Sequence, residues 1–312
     1  MMRHTLLALS RSRWLARTIT DSAIAWQAAR RFVAGRTVDE AVAVVAALNA
    51  EGLSATLDYL GENVATRAEA AAAADAYIET IDAIRASGIH SGISLKLTAL
   101  GLDLGDDVAA AELERVLARA ATKTPPVFVR IDMEGSPYTA RTLQLFTAAR
   151  QRHAHVGVVL QSYLRRTAAD ADTLARSGAH VRIVKGAYLE PDDLAFQSKA
   201  EVDAAFTALV ERLMADDARA AGSYTAVATH DPAMIDFAQR FAASHGIPRD
   251  AFEFQMLYGI RRDLQRRLVA DGYRVRVYVP FGGQWYPYFM RRLAERPENV
   301  GFVLRNLVRD RG

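Results

Sequence analysis

Charged and polar side chains interrupt seven short apolar runs of this chain, each near the run's C-terminal end. Lys96 sits between Leu95 and Leu97, and the next run closes Arg130-Ile-Asp132-Met-Glu134. Gln161 follows Val158-Val159-Leu160, and Arg182 and Lys185 precede Gly186-Ala187-Tyr188. Thr229-His230-Asp231, Gln255 and Tyr278 punctuate the last three runs. A buried charge without a partner costs several kcal/mol, so such groups at one end of run after run predict a built site. Against a plug of structural ion pairs stands an excess of cations, with Lys96, Arg182 and Lys185 facing mainly Asp132. That excess predicts an anionic ligand or cofactor. Lysine is scarce: only Lys96, Lys123, Lys185 and Lys199 among 39 basic residues. Where lysine sits in a buried run, a chemical reason is expected.

Strand parity refines the picture. Asp132 shares a face with Arg130 and Phe128, while Met133 faces the other way. Arg182 and Lys185 are three apart and would diverge on a regular strand, so Gly186 marks where the strand ends and the backbone turns close to a ligand. Near the C-terminus, "YFMRRLAE" places Tyr288, Arg291, Arg292 and Glu295 at helical i,i+3 and i,i+4 spacings. Arginine pairs also occur at Arg30-Arg31, Arg165-Arg166, Arg261-Arg262 and Arg266-Arg267, and those read as solvated surface, with the run 261–267 equally open to being a partner surface. The pair at 291–292 differs because it follows a strand end rich in glycine and aromatics, where two guanidiniums can converge on one carboxylate.

The elements that must position these groups alternate. Eight apolar runs, at 54–61, 92–100, 126–134, 156–164, 180–188, 224–231, 251–259 and 273–282, are separated by amphipathic helical segments. Runs apolar nearly throughout indicate a parallel sheet buried on both faces, and eight of them close most economically as a (β/α)8 barrel. No G-x-G-x-x-G follows the first run, so an open dinucleotide-binding sheet lacks support. Residues 1–50 read as a helical segment packed on the barrel of 51–312, within one domain of 1–312.

Composition narrows the chemistry. Hydrophobic residues make up 51% of 312 residues, ample for a large core. A net charge of +3 does not suggest a nucleic-acid protein. The absence of cysteine excludes disulfides, thiolate catalysis and thiolate metal sites. The seven histidines show no H-E-x-x-H, and His153-x-His155 lies before the fourth strand, at the wrong end of a barrel, so no metal is expected. No window approaches the ~18 apolar residues of a membrane span.

In order and spacing, "SLKLTAL", "RIDMEG", "LQSYLRRT", "RIVKGAY", "ATHD", "EFQMLYG", "VYVPFGGQW" and "YFMRRLAE" resemble the FAD-dependent proline dehydrogenases, most closely the monofunctional bacterial type. The resemblance covers roughly residues 50 to 310. It implies a distorted TIM-like barrel whose final helix lies over the C-terminal ends of the strands, and an FAD held without a Rossmann domain. It also implies oxidation of L-proline to 1-pyrroline-5-carboxylate by hydride transfer to FAD, the first step toward glutamate, with electrons passed on to a quinone. By position, Arg291 and Arg292 match the grip on the proline carboxylate, and Lys96, Leu257, Tyr278 and Tyr288 the rest of the substrate pocket. Asp132, Arg182 and Tyr278 match the catalytic group. Met133, Gln161, Arg182, Lys185, Gly186, Ala187, Tyr188, Thr229, His230, Gln255 and Glu295 match the cofactor side. Partners implied are a membrane quinone and a pyrroline-carboxylate dehydrogenase, at a cytoplasmic site with peripheral contact to the inner face of the cell membrane. Two rivals stay open: a Schiff-base aldolase-type barrel using Lys96 or Lys185, and a non-catalytic flavin- or anion-binding barrel.

Overall fold

A computed structural model describes residues 23–295. Two helices, α1 (Ala23–Ala29) and α2 (Val38–Ala50), precede eight strands. These are β1 (Ser54–Tyr59), β2 (Ser91–Leu95), β3 (Val129–Ile131), β4 (Val156–Gln161), β5 (His180–Val184), β6 (Tyr224–Ala228), β7 (Phe252–Leu257) and β8 (Arg274–Phe281). They pair in parallel in sequence order, and β8 closes on β1 through Ala55↔Val277 and Leu57↔Val279. The expected barrel is therefore what the chain forms.

The intervening helices are α3 (Arg67–Ser87), α4 (Asp106–Ala121), α5 (Ser136–Arg150), α6 (Thr167–Arg176), α7 (Lys199–Met214), α8 (Asp216–Ala220), α9 (Pro232–Ser244) and α10 (Arg262–Ala270). Helices α2, α3 and α7 begin with reciprocal capping boxes, Thr37 with Glu40, Thr66 with Glu69 and Ser198 with Glu201. Each box satisfies backbone N–H groups that the first helical turn leaves unpaired. The helices bury apolar faces on the outer surface of the strands, including Ile81, Leu113, Phe146 and Phe206. A second apolar cluster stands apart from the barrel core. It joins Phe32 and Val33 to Trp285, Phe289 and Leu293 of the last helix, α11 (Trp285–Glu295). Trp26 of α1 packs on Trp285 at 5.5 Å, and Phe32 on Phe289 at 6.3 Å.

Strands are shorter than the apolar runs that announced them. The run at 92–100 ends as a strand at Leu95, and Leu97, Leu100 and Leu102 are buried from the loop that follows. Arg130 also moves: it reaches down inside the barrel to the carbonyls of Val158 and His180, a layer below Asp132. The segments 1–22 and 296–312 lie outside the described residues, as does the side chain of Glu295.

Candidate active site

Inward-facing side chains from five strands meet at the upper end of the barrel. Arg182 of β5 donates from Nη1 to Asp132 Oδ1 at 2.7 Å and to Ser94 Oγ at 3.2 Å, and from Nε to Gln255 Oε1 at 2.6 Å. Asp132 also accepts from Ser94 Oγ at 2.7 Å and from the Tyr278 hydroxyl at 2.8 Å. The Arg182 guanidinium lies 5.3 Å from the Tyr278 ring centroid. Burial, with Asp132 and Asp58 beside it, holds the Tyr278 hydroxyl well above its ordinary range, so it is a neutral donor. These bonds leave Arg182 Nη2 buried with no partner among the described residues, on a side chain that lines the cavity above.

Lys96, just past β2, lies 3.5 Å from Asp58 of β1, a fully buried carboxylate. Burial pushes Asp58 up to about 6; Lys96 pulls against that and Asp132 adds to it. Burial also works against the charge on Lys96, but Asp58, Asp132 and Glu62 together hold its ammonium well above the usual lysine range. A lysine so stabilised as a cation is a poor Schiff-base nucleophile, which needs a depressed pKa.

The helix α11 adds the roof. Arg291 pairs with Glu62, Nη1 to Oε1 at 2.7 Å and Nη2 to Oε2 at 3.4 Å. Arg292 lies over the Tyr288 ring at 5.1 Å. On the opposite wall, Lys185 meets Asp203 at 2.5 Å and Asp231 at 2.7 Å, and Lys199 contacts the same two carboxylates. The Lys185 hydrogen bond holds the Asp231 carboxyl down at about 2, against a smaller opposing effect of burial. His230 Nε2 accepts the Leu257 backbone N–H at 3.0 Å, and Gln161 Nε2 donates to the Glu134 carbonyl at 2.9 Å.

A cavity of about 420 Å³ is lined by Lys96, Asp132, Arg182, Lys185, Arg291 and Arg292, with several of their partners set behind the wall. Every residue the resemblance assigns to the site lines it, Lys96 and Asp132 among them with Thr229 and His230, save Glu295, whose side chain lies outside the described residues; Arg130 and Glu134 do not line it. The volume falls in the usual range for small-molecule sites. Gly186 has φ +123°, and a Cβ there would fall 2.4 Å from the Tyr163 ring. Only glycine fits that turn, as the sequence reading anticipated.

The charge count needs correcting. Lys96, Arg182, Lys185 and Arg291 do not face Asp132 alone; Asp58, Glu62, Asp203 and Asp231 share them. Glu134 adds another buried carboxylate, accepting from Thr98 N at 3.1 Å and Thr98 Oγ1 at 2.5 Å. The site is a set of neutralised pairs rather than a cationic basin. Asp58, Glu62, Ser94 and Asp203 were missed by the sequence reading. Asp58 carried the same signal as the others, an acid breaking an apolar run. Glu62 lies past the run, and Asp203 lies on α7, far from any strand.

The chain matches the family model described as proline dehydrogenase over residues 41–305. The chain belongs to the proline dehydrogenase family. It is 43% identical over 312 residues to proline dehydrogenase 1 of Bacillus subtilis (strain 168), covering 99% of this chain and 100% of that one. It is 44% identical over 289 residues to proline dehydrogenase of Deinococcus radiodurans, covering 91% of each. Among solved structures it resembles proline utilization A (PutA) from Bdellovibrio bacteriovorus inactivated by N-propargylglycine. There the TM-score is 0.79 at 26% identity, over 86% of this chain and 32% of that longer one. Membership makes the protein an oxidoreductase of proline catabolism, flavin-dependent as the family is.

Proposed function

We propose that the cavity takes L-proline and FAD together and that the chain oxidises proline to 1-pyrroline-5-carboxylate. The observation that supports this most is that α11 brings Tyr288, Arg291 and Arg292 to the same cavity as the buried Arg182–Asp132 pair. The residues present fit a flavin. Among the described residues Arg182 Nη2 is an orphaned donor at the cavity, and Met133, Val159, Val184 and Met256 offer apolar walls to a flat ring. Bound FAD supplies a hydride acceptor. Met133, Gln161, Arg182, Lys185, Gly186, Ala187, Tyr188, Thr229, His230 and Gln255 would hold it, with Lys185 fixed by Asp203 and Asp231.

On the substrate side, Arg291 and Arg292 would fix the carboxylate and so orient the ring, with Leu257, Tyr278 and Tyr288 as walls. Hydride leaves C5 as the nitrogen lone pair forms the C=N bond, and the N–H proton departs. The amine must therefore be unprotonated, and Lys96 and the two arginines disfavour its ammonium form. Arg182 would stabilise negative charge that grows beside it, held in place by Asp132, Ser94 and Gln255.

The test is spectral and kinetic. Purified protein should be yellow and bleach on anaerobic L-proline. Arg292→Ala should raise the KM for proline by about 100-fold, the loss of one charged hydrogen-bond pair, while FAD stays bound. Loss of FAD with an unchanged KM would sink the assignment, and borohydride trapping of a carbonyl substrate would favour the aldolase reading. A quinone as electron acceptor, peripheral contact with the inner membrane face and handover to a pyrroline-carboxylate dehydrogenase belong to the same proposal. Proline-dependent reduction of a quinone carried in lipid vesicles tests the first two. Co-purification with a pyrroline-carboxylate dehydrogenase tests the third.

A further inference from the structure

The barrel has a second cavity at its other end. It holds about 790 Å³ and is lined by residues of the strand N-termini and interior, among them Thr56, Phe128, Arg130, His180, Tyr224 and Glu253. Its central group is Arg130, 4% exposed. Nη1 donates to the Val158 carbonyl at 3.1 Å and the His180 carbonyl at 2.7 Å, which uses both of its hydrogens. Among the described residues Nε is buried with no partner, and the hydrogen bonds Arg130 makes are those of Nη1 alone. The edge left over, Nε with Nη2, is the one that takes two carboxylate oxygens in parallel.

The setting is built around that guanidinium. A Cβ on Gly157 would sit 2.5 Å from Nη1, so the absence of a side chain there makes room for it. The guanidinium stacks over Phe128 at 4.9 Å, Phe128 stacks on His180 at 5.4 Å, and His180 meets Tyr224 at 5.5 Å. The carboxylate lining this end, Glu253, is engaged by Arg276 at 2.9 Å and by the Gln255 amide. Arg274, at the rim, pairs with Asp250. Among the described residues at this end, Arg274 and Arg276 each hold a carboxylate, and Arg130 is the guanidinium whose hydrogen bonds go to backbone carbonyls alone. Burial, with Arg182 and Arg276 nearby, lowers Arg130 to about 9, against a smaller opposing effect of Glu253 and Asp132.

We infer that this lower cavity is a second ligand site, for a small monocarboxylate with a flat apolar or aromatic body. The carboxylate pairs with the free edge of Arg130, and the body lies against Phe128, His180 and Tyr224. A monoanion matches the charge of Arg130, whereas a dianion would leave a net negative charge in the barrel. Gln255 lines both cavities, which puts one amide between this ligand and Arg182.

The experiment uses the full-length flavin-loaded protein and benzoate as probe. Titration with millimolar benzoate in saturating L-proline should shift the His180 ring resonances saturably, and proline should not compete. Arg130→Met should weaken that binding about tenfold or more, the loss of one charged hydrogen-bond pair. Crystals soaked with para-bromobenzoate should show an anomalous peak beside Arg130, an arm that needs no variant to fold. A peak only beside Arg291 and Arg292, or no peak with His180 unmoved, would mean that water alone satisfies Arg130 and would overturn the inference.

Discussion

Asp132 accepts three hydrogen bonds, from Arg182, Ser94 and Tyr278, and so fixes the orientation of the guanidinium that faces the cavity. Tyr278→Phe removes the donor to Oδ2 and leaves a buried carboxylate oxygen short of a partner, at a cost of about 1–3 kcal/mol. The urea midpoint should fall accordingly, and flavin reduction by proline should slow because Arg182 loses its restrained partner. An unchanged midpoint would mean that water replaces the hydroxyl. Gly186→Ala meets two obstacles at once, a φ of +123° and the Tyr163 ring. It should lower stability by about 1–3 kcal/mol and weaken flavin retention on dialysis, since the backbone at the cavity wall must shift.

At the level of elements, all eight strands were legible because each is an apolar run bounded by turns. Their C-terminal limits were not, because the loops above them bury apolar side chains of their own, as Leu97 and Leu100 do. The site was legible at most positions where a polar residue interrupts such a run, Asp58 and Ser94 excepted, and less so where a partner comes from a loop or an outer helix. Glu62 on Arg291 and Asp203 on Lys185 are of that second kind, since no periodicity ties them to a strand. Members of the other arginine pairs hold carboxylates of their own, Arg166 with Asp170, Arg261 with Asp263 and Arg266 with Glu51, and none of these arginines lines the site cavity. The place of α11 over the strand ends was expected, but not the element that α11 rests on. It rests on α1 through Trp26 and Trp285, in an apolar cluster separate from the barrel core. Trp26→Ala should therefore loosen α11 and spare the strands. Amide exchange across 285–295 should accelerate while that of β1–β8 is unchanged, and the KM for proline should rise with kcat little affected. Equal acceleration in the strands would show that the two clusters unfold as one.

For the molecule as a whole, the groups buried in the barrel make stability depend on pH in opposing directions. Burial, with Arg130 and Arg150 nearby, lowers His180 from 6.5 to about 4. The folded state thus binds fewer protons there than the unfolded chain between those values, and stability is lost as pH falls through that window. Asp58 has the reverse sign. Burial raises it from 3.8 to about 6, so the folded state holds the extra proton in that interval, and stability is gained as pH falls from 6 toward 4. Asp231, lowered from 3.8 to about 2, contributes only above that range and is lost at stronger acid. Between pH 6 and 4 the first two oppose each other. His180→Gln removes one of them. The difference in urea midpoint between wild type and this variant should shift in the variant's favour as pH falls from 6.5 to 4, and then level off. Asp58→Asn should move the corresponding difference the other way over pH 6 to 4. If the His180→Gln difference stayed flat across that range, His180 would be protonated in the folded barrel without penalty, and the ring stack of Phe128, His180 and Tyr224 would have to be open to water.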